Sequence, residues 1–369
     1  MQEFLKWLAS TPVLAEIVVS TVTIVLLTMG MIYLVAFFQG RSISFWPPKI
    51  GAKPAPLSNI SDSVHKDKDE TEASRTFQSI NLPISNDSML LTASGKKLRL
   101  TTLLHAGARA NIYSAVYEDS KEIAVKIYWR GLAPSSVAWM HFEQEIKLAE
   151  RLEHTNIVKV LDKGIFNGYP FLVMESMKGG TLRDQLRHYN RLPGPVILSI
   201  AKQVALAIDF AHAKGVVHRD IKPDNILFES DLYGRVALSD FGIAQILGAV
   251  DVIITASSGD GVMLEGTPAY LAPEILKNGI AEPASDIYSF GVVLYEMIAS
   301  SRPFSRINNV YVLFMRKLES PPPDIRRVRE DVPEVISERL YKTLSIDPRE
   351  RPSSAYEVLV GIEKAIMTL

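Results

Sequence analysis

Four stretches of the chain carry side chains whose types and spacing could do chemistry. The first is His218-Arg219-Asp220-Ile221-Lys222-Pro223-Asp224-Asn225. Asp240-Phe241-Gly242 follows, and then Gly266-Thr267-Pro268-Ala269-Tyr270-Leu271-Ala272-Pro273-Glu274. Upstream lies Ala124-Val125-Lys126, with Glu145 after it. The groups on offer are carboxylates, an amide and amines, which handle protons, cations and anions. There is no cysteine, so disulfides, Cys-based zinc sites and Cys nucleophiles are excluded. Singly, each stretch has a plain explanation. An isolated Asp-Phe-Gly is usually a turn, and a lone surface Lys–Glu pair is worth little. Their joint order is what calls for a cause.

Together these stretches resemble the catalytic loop, metal-binding triplet, activation-segment end and Lys–Glu pair of the protein-kinase family. The resemblance runs from residue 98 to about residue 360 in the family's order. It implies a two-lobed α+β kinase fold, with a small β-rich N-lobe at 98–178 and a larger α-helical C-lobe at 179–369. It also implies ATP as phosphoryl donor, Mg²⁺ (or Mn²⁺) as the metal, and protein substrates carrying Ser or Thr hydroxyls. Phosphoryl transfer demands alignment and charge neutralisation more than covalent help. By the resemblance, Asp220 would accept or orient the substrate hydroxyl proton. Asp240 and Asn225 would hold Mg²⁺, a hard ion that prefers oxygen ligands. Lys126 would grip the α/β-phosphates and Glu145 would fix Lys126. Lys222 would neutralise the γ-phosphate, and its place in His-Arg-Asp-Ile-Lys-Pro resembles Ser/Thr rather than tyrosine kinases. Thr267 would tether Asp220 and Lys222.

The resemblance extends to the nucleotide. Phe171-Leu172-Val173-Met174-Glu175 is similar to the strand entering the hinge. Met174 would be the gatekeeper, and the backbones of Glu175 and Met177 would bond adenine. Ile112, Ala124 and Leu227 would sandwich the ring, with Leu104, Gly107 and Ala110 completing the nucleotide set. Asp286 would brace the catalytic loop from a buried helix, and Arg351 would pair with Glu274.

One motif departs from the family. Its phosphate loop normally carries three glycines, which let backbone N–H groups approach phosphate. Here the stretch is His105-Ala106-Gly107-Ala108-Arg109-Ala110-Asn111-Ile112. His105 replaces the first glycine and Ala110 the third. Weaker ATP binding is the expectation, and a pseudokinase scaffold that binds partners without transferring phosphate is the alternative to an active enzyme. Arg219, next to Asp220, resembles the arginine that meets a phosphorylated activation segment. Thr255, Ser257 and Ser258 sit in the small, glycine-rich middle of that segment and are candidates for autophosphorylation, with a homodimer as the arrangement that would allow it.

These residues need elements to position them. Leu98, Leu100 and Leu103 begin a strand, and Asn111–Tyr117 alternates as a second. Asp119-Ser120 supplies a turn, and Ile123–Tyr128 reads as a third strand. A helix is expected over about Ser136–Leu152, with Glu145, Ala149 and Leu152 on one face. Ile197, Ile200, Val204, Ala207 and Ala211 form another helical stripe, stopped at Gly215.

The chain has 369 residues, 40 Lys+Arg against 41 Asp+Glu, and 47% apolar residues. The near-zero charge argues against bulk nucleic-acid binding, so no nucleic acid is expected as a partner. The mean hydropathy of +0.11 reflects one segment. Ile17–Gly40 holds no charged residue, and its 24 positions span about 36 Å as a helix, more than the roughly 30 Å of a bilayer core. Residues 17–38 are read as a transmembrane helix, uncleaved because its apolar run exceeds that of a signal peptide. Residues 41–60 hold Arg41, Lys49 and Lys53 and no acid. That places the C-terminal bulk in the cytoplasm, with 1–16 as a short extracytoplasmic N-terminus. Residues 39–97, rich in Pro, Ser, Asp and Lys, are read as a juxtamembrane linker without regular structure.

Overall fold

A computed structural model describes residues 87–107, 110–117, 121–128, 146–147, 149–241, 269–305, 307 and 309–369. The anchor at 17–38 and the basic flank at 41–60 lie outside these residues, as do Glu145, Thr267 and the Thr255–Ser258 candidates.

Six strands come first: β1 (Met89–Leu91), β2 (Lys97–Ala106), β3 (Ala110–Tyr117), β4 (Glu122–Tyr128), β5 (Val160–Phe166) and β6 (Tyr169–Glu175). Their order is β1-β2-β3-β4-β6-β5, and every paired neighbour is antiparallel. An antiparallel bridge from Thr92 to Gly164 returns β1 to β5 and curls the sheet into a barrel. Gly164 is needed there. A Cβ at that position would lie 2.4 Å from the Phe171 ring and 2.9 Å from the Leu91 carbonyl.

Strand β1 lies upstream of residue 98, inside the stretch whose polar and proline content reads as linker. Three residues are too few for a periodic signal, and Leu90 is buried only because the barrel closes over it.

Side-chain alternation divides the sheet. Ile123, Val125 and Ile127 of β4 join Phe171, Val173, Leu98, Leu100, Tyr113 and Ala115 in one apolar cluster. Ala124 and Tyr128, one residue out of phase, join Leu172 and Met174 in the other. Lys126 is in phase with the second set, so the cleft-facing side of β4 carries both apolar residues and the lysine.

The second half is helical. It contains α1 (Leu182–His188), α2 (Gly194–Ala213), a hairpin of β7 (Ile226–Phe228) and β8 (Val236–Leu238), then α3 (Pro273–Asn278), α4 (Pro283–Ala299), α5 (Val310–Glu319), α6 (Glu334–Thr343) and α7 (Glu363–Met367). The expected stripe Ile197, Ile200, Val204, Ala207 and Ala211 is buried throughout α2, and Gly215 past its end has φ +74°, as a helix stop requires. By length and composition α2 could cross a bilayer. Its stripe instead packs on α4, α7 and β8. Helix α4 is buried from Ser285 to Ile298 and forms the centre of this half.

An ion pair locks α3 to the rest. Arg351 donates from Nη1 to Glu274 Oε1 at 2.7 Å and from Nη2 to Oε2 at 2.8 Å, the pairing read from the sequence. The Arg351 side chain is 0% exposed. Its remaining donors reach the Ser345 and Ala284 carbonyls. Burial pushes the Glu274 carboxyl up, but hydrogen bonds from Arg351 and Ser285 outweigh it and hold it below the usual range.

Removing one partner of such a pair strands the other charge, so Arg351→Ala should cost about 3–5 kcal/mol of stability in chemical denaturation. The Glu274 contribution is full above the ordinary glutamate value of 4.5 and is lost as pH falls through the depressed folded value. The variant should therefore also have a shallower loss of stability in acid than the parent chain.

Candidate active site

The loop between α2 and β7 is suspended from Asp286 on α4. Asp286 is 1% exposed. Its Oδ2 accepts from the His218 backbone N–H at 2.7 Å, and its Oδ1 from the Arg219 N–H at 2.8 Å. The His212 ring of α2 completes the set, with Nε2 at 2.8 Å from Oδ2. Arg219 adopts φ +74°, a conformation that costs a non-glycine residue of order 1–3 kcal/mol. Two charge-assisted bonds on either side of that backbone unit hold it there.

The turn so formed concentrates polar groups. The Asp220 Oδ2 atom accepts from Lys222 Nζ at 2.6 Å and from Asn225 Nδ2 at 3.0 Å. Asn225 Nδ2 also donates to the Asp220 carbonyl at 2.7 Å. Both amide hydrogens of Asn225 are thus used on Asp220, and its carbonyl oxygen is left for another partner. The Asn225 carbonyl of the main chain accepts from Ser239, which ties the loop to the residue before Asp240.

Asp240 has φ +66°. Its Oδ1 accepts from Lys126 Nζ at 2.7 Å, across from the sheet. Burial pushes its carboxyl up, but the charge and hydrogen bond of Lys126, with Lys222 and His218 beyond, outweigh burial and keep it ionised. His218, fully buried, packs its ring against Phe241 in a tilted contact with ring centres 4.5 Å apart. An ionised carboxylate and a free amide oxygen on linked residues form a donor set suited to a hard divalent cation.

Above this lies the apolar cluster on the cleft face of the sheet. Ala110, Ala124, Met174, Leu172 and Ala237 are among its buried members, and Ile112, Met177 and Leu227 are among the side chains packed against them. Six residues read from the sequence as nucleotide contacts therefore meet on one surface: Ala110, Ile112, Ala124, Met174, Met177 and Leu227. Leu104 does not. It is 57% exposed, like every residue from Thr102 to Ala106 at the end of β2. The backbone N–H of Glu175 is also already used, donating to the Lys159 carbonyl at 3.0 Å. At Glu175 only a carbonyl remains as a candidate contact for a base. Gly107 closes the β2–β3 hairpin with its N–H on the Ala110 carbonyl at 3.1 Å. A Cβ at 107 would lie 2.8 Å from that oxygen, so the one retained glycine is sterically required.

Sequence reasoning missed two networks beside the site. Arg183 of α1 donates from Nη1 to Glu296 Oε1 at 2.8 Å and lies 3.4 Å from Asp224, and it also donates to the Tyr270 hydroxyl. Tyr270 in turn donates to Glu296. Lys317 of α5 is 2% exposed and donates to the carbonyls of Ala269 and Leu271 at 2.6 and 2.7 Å. Burial pulls its ammonium down to about 7. The only sequence signal for Lys317 is a basic residue on an amphipathic helix, which ordinarily means a solvated face.

A family comparison decides what this arrangement is. The protein kinase domain family matches residues 99–360. This chain belongs to the eukaryotic-type Ser/Thr protein kinase family. It is 33% identical over 259 residues to the Ser/Thr-protein kinase PknL of Mycobacterium tuberculosis, covering 70% of this chain and 63% of PknL. It is 32% identical over 272 residues to PrkC of Bacillus subtilis, covering 73% of this chain and 40% of PrkC. The chain thus spans less than two thirds of the length of these relatives. Among solved structures, Rad53 residues 1–466 in complex with AMP-PNP superposes with a TM-score of 0.58 at 25% identity, over 72% of this chain and 63% of that one. The kinase domain accordingly has its N-lobe in the strand barrel and its C-lobe in the helices built around α4.

The Asp286 suspension makes a local prediction. In Asp286→Asn the amide presents a donor toward two backbone N–H groups. The His218 and Arg219 amides should exchange with deuterium roughly 5- to 150-fold faster, equivalent to about 1–3 kcal/mol for an unsatisfied buried group. Amides in α6 should be unaffected.

Proposed function

We propose that this protein is a membrane-anchored kinase that transfers the γ-phosphoryl group of ATP to Ser/Thr hydroxyls of protein substrates. The observation that carries the proposal is the placement of the Asp220–Lys222–Asn225 cluster on the loop suspended from Asp286, with the Lys126–Asp240 pair beside it. Adenine fits the apolar surface of Ile112, Ala124, Met174 and Leu227, against the hinge backbone at Glu175 and Met177. Asp220 orients the incoming hydroxyl and accepts its proton as the new O–P bond forms and the β–γ bridge breaks. Lys222 moves from Asp220 to the transferring group, neutralising its charge. Lys126 holds the α- and β-phosphates, leaving Asp240 to face metal. Asn225 through its amide oxygen and Asp240 through its carboxylate would hold Mg²⁺ or Mn²⁺, which shields phosphate charge when bound. Glu145 and Thr267 are assigned as partners of Lys126 and of the Asp220 loop from their sequence positions.

The 17–38 segment is the proposed single membrane span, with the kinase domain cytoplasmic. Autophosphorylation at Thr255, Ser257 or Ser258, within a homodimer, is the proposed activating step, since added charge there can pair with Arg219.

Radiolabelled transfer from ATP to a generic protein substrate tests the proposal. The parent chain should transfer phosphate, and Asp220→Ala should lower kcat by at least about 100-fold, the lower end for a positioned acid or base. Absence of transfer by the parent chain, with ATP still bound, would instead support a scaffold. His105→Gly should lower the KM for ATP while leaving the KM for protein substrate in place. An unchanged ATP KM would sink the expectation that the thinned phosphate loop weakens binding. Mass spectrometry after incubation with Mg·ATP should find phosphate between residues 255 and 258; full activity without it would remove the activation step.

A further inference from the structure

An arginine outside the chemistry above grips the hinge. Arg235 immediately precedes β8, at the end of the β7–β8 turn. Its Nη2 donates to Glu175 Oε1 at 2.6 Å, and its Nη1 to Glu175 Oε2 at 3.0 Å. Its Nε donates to the Thr155 carbonyl at 2.6 Å. Nη1 also lies 3.9 Å from the Met177 sulfur and 3.3 Å from Glu229 Oε1. Glu175 is itself doubly tied to Lys159, the residue before β5. Its N–H donates to the Lys159 carbonyl, and the Lys159 N–H returns to Glu175 Oε1 at 2.8 Å. Burial pushes the Glu175 carboxyl up, but the hydrogen bonds and charges of Arg235 and Lys159 together outweigh it and hold it below the usual range.

One planar guanidinium thus joins three separate segments: the end of β6, the loop before β5, and the β7–β8 hairpin. All of its nitrogens are directed to groups on those segments. The side chains of Arg235 and Glu175 are 21% and 26% exposed, so water screens the pair, and the ionic attraction alone is modest. Geometry is the stronger effect. A bidentate fork fixes direction as well as distance, and here it fixes the residue after Met174 together with the side chain of Met177. Those are the two hinge positions whose backbones face the proposed base.

We propose that Arg235 is a positioning residue for the nucleotide: through Glu175 and Met177 it sets the hinge backbone that meets adenine, and so governs affinity for the base rather than for the phosphates. The inference rests on the adenine assignment of the apolar surface. A fold staple with no bearing on the nucleotide is the competing explanation. Lysine separates the two, because it keeps the charge and cannot reproduce the fork.

The test uses the full-length chain in mild detergent, as the parent, Arg235→Lys and Arg235→Ala. Four quantities are measured: the KM for Mg·ATP, the KM for a protein substrate, the inhibition constant of Mg·tripolyphosphate, and the Tm. Both variants should raise the ATP KM, Arg235→Ala by roughly 5- to 30-fold, with tripolyphosphate inhibition and protein-substrate KM near parental values. The proposal is overturned if the ATP KM is unchanged while Tm falls, or if ATP and tripolyphosphate weaken equally. It is also overturned if Arg235→Lys matches the parent in ATP KM while Arg235→Ala does not, since charge would then suffice. A parent chain that binds no ATP fails at an earlier step: the proposed function falls, whatever Arg235 does.

Discussion

A single buried carboxylate sets the shape of the catalytic loop. Asp286 lies on α4, buried from Ser285 to Ile298, and accepts from two successive backbone N–H groups and one imidazole. Left to local preference, Arg219 would not adopt a positive φ. The bonds to Asp286 favour that conformation more than sterics oppose it, and the reversal of direction at Arg219 brings Asp220, Lys222 and Asn225 into one cluster. The cost of burying a charge is offset because every bond it accepts is charge-assisted.

The sheet supplies the other half of the site by a different rule. Strict alternation along β4 and β6 sends Val125, Ile127 and Val173 into the barrel and leaves Ala124, Lys126 and Met174 on the cleft side. A lysine on an apolar face requires a partner, and Asp240 provides it from the opposite lobe. That pair is therefore both a site component and a contact between the two halves of the kinase domain.

Much of this was legible in the sequence where the signal was local. The strand at Ile123–Tyr128 is found where it was expected, and the helical stripe ending at Ala211 predicts the burial observed. The Asp286 and Arg351–Glu274 contacts followed from resemblance rather than from spacing. What escaped detection depends on residues far apart in the chain. Leu90 of strand β1 is buried against side chains as distant in the chain as Phe171. Arg235 and Glu175 are 60 positions apart, with nothing in either neighbourhood to announce a pair. The exposure of Leu104 is shared by the whole end of β2, where Thr102–Ala106 are exposed on both faces, so alternation gives no cue there. Lys317 has no local signal either, because a helix pattern does not tell which backbone carbonyls will sit above it.

The closure of the N-lobe sheet has a consequence for recognition. Because Thr92 bridges to Gly164 and the Ala93 N–H donates to the Lys163 carbonyl, the main-chain groups of β1 and β5 that would line two open borders face each other instead. An extended peptide that docks by adding a strand needs a free border to continue the ladder. Along the border where β1 meets β5, a protein that binds this lobe must therefore read side chains and surface shape instead of backbone.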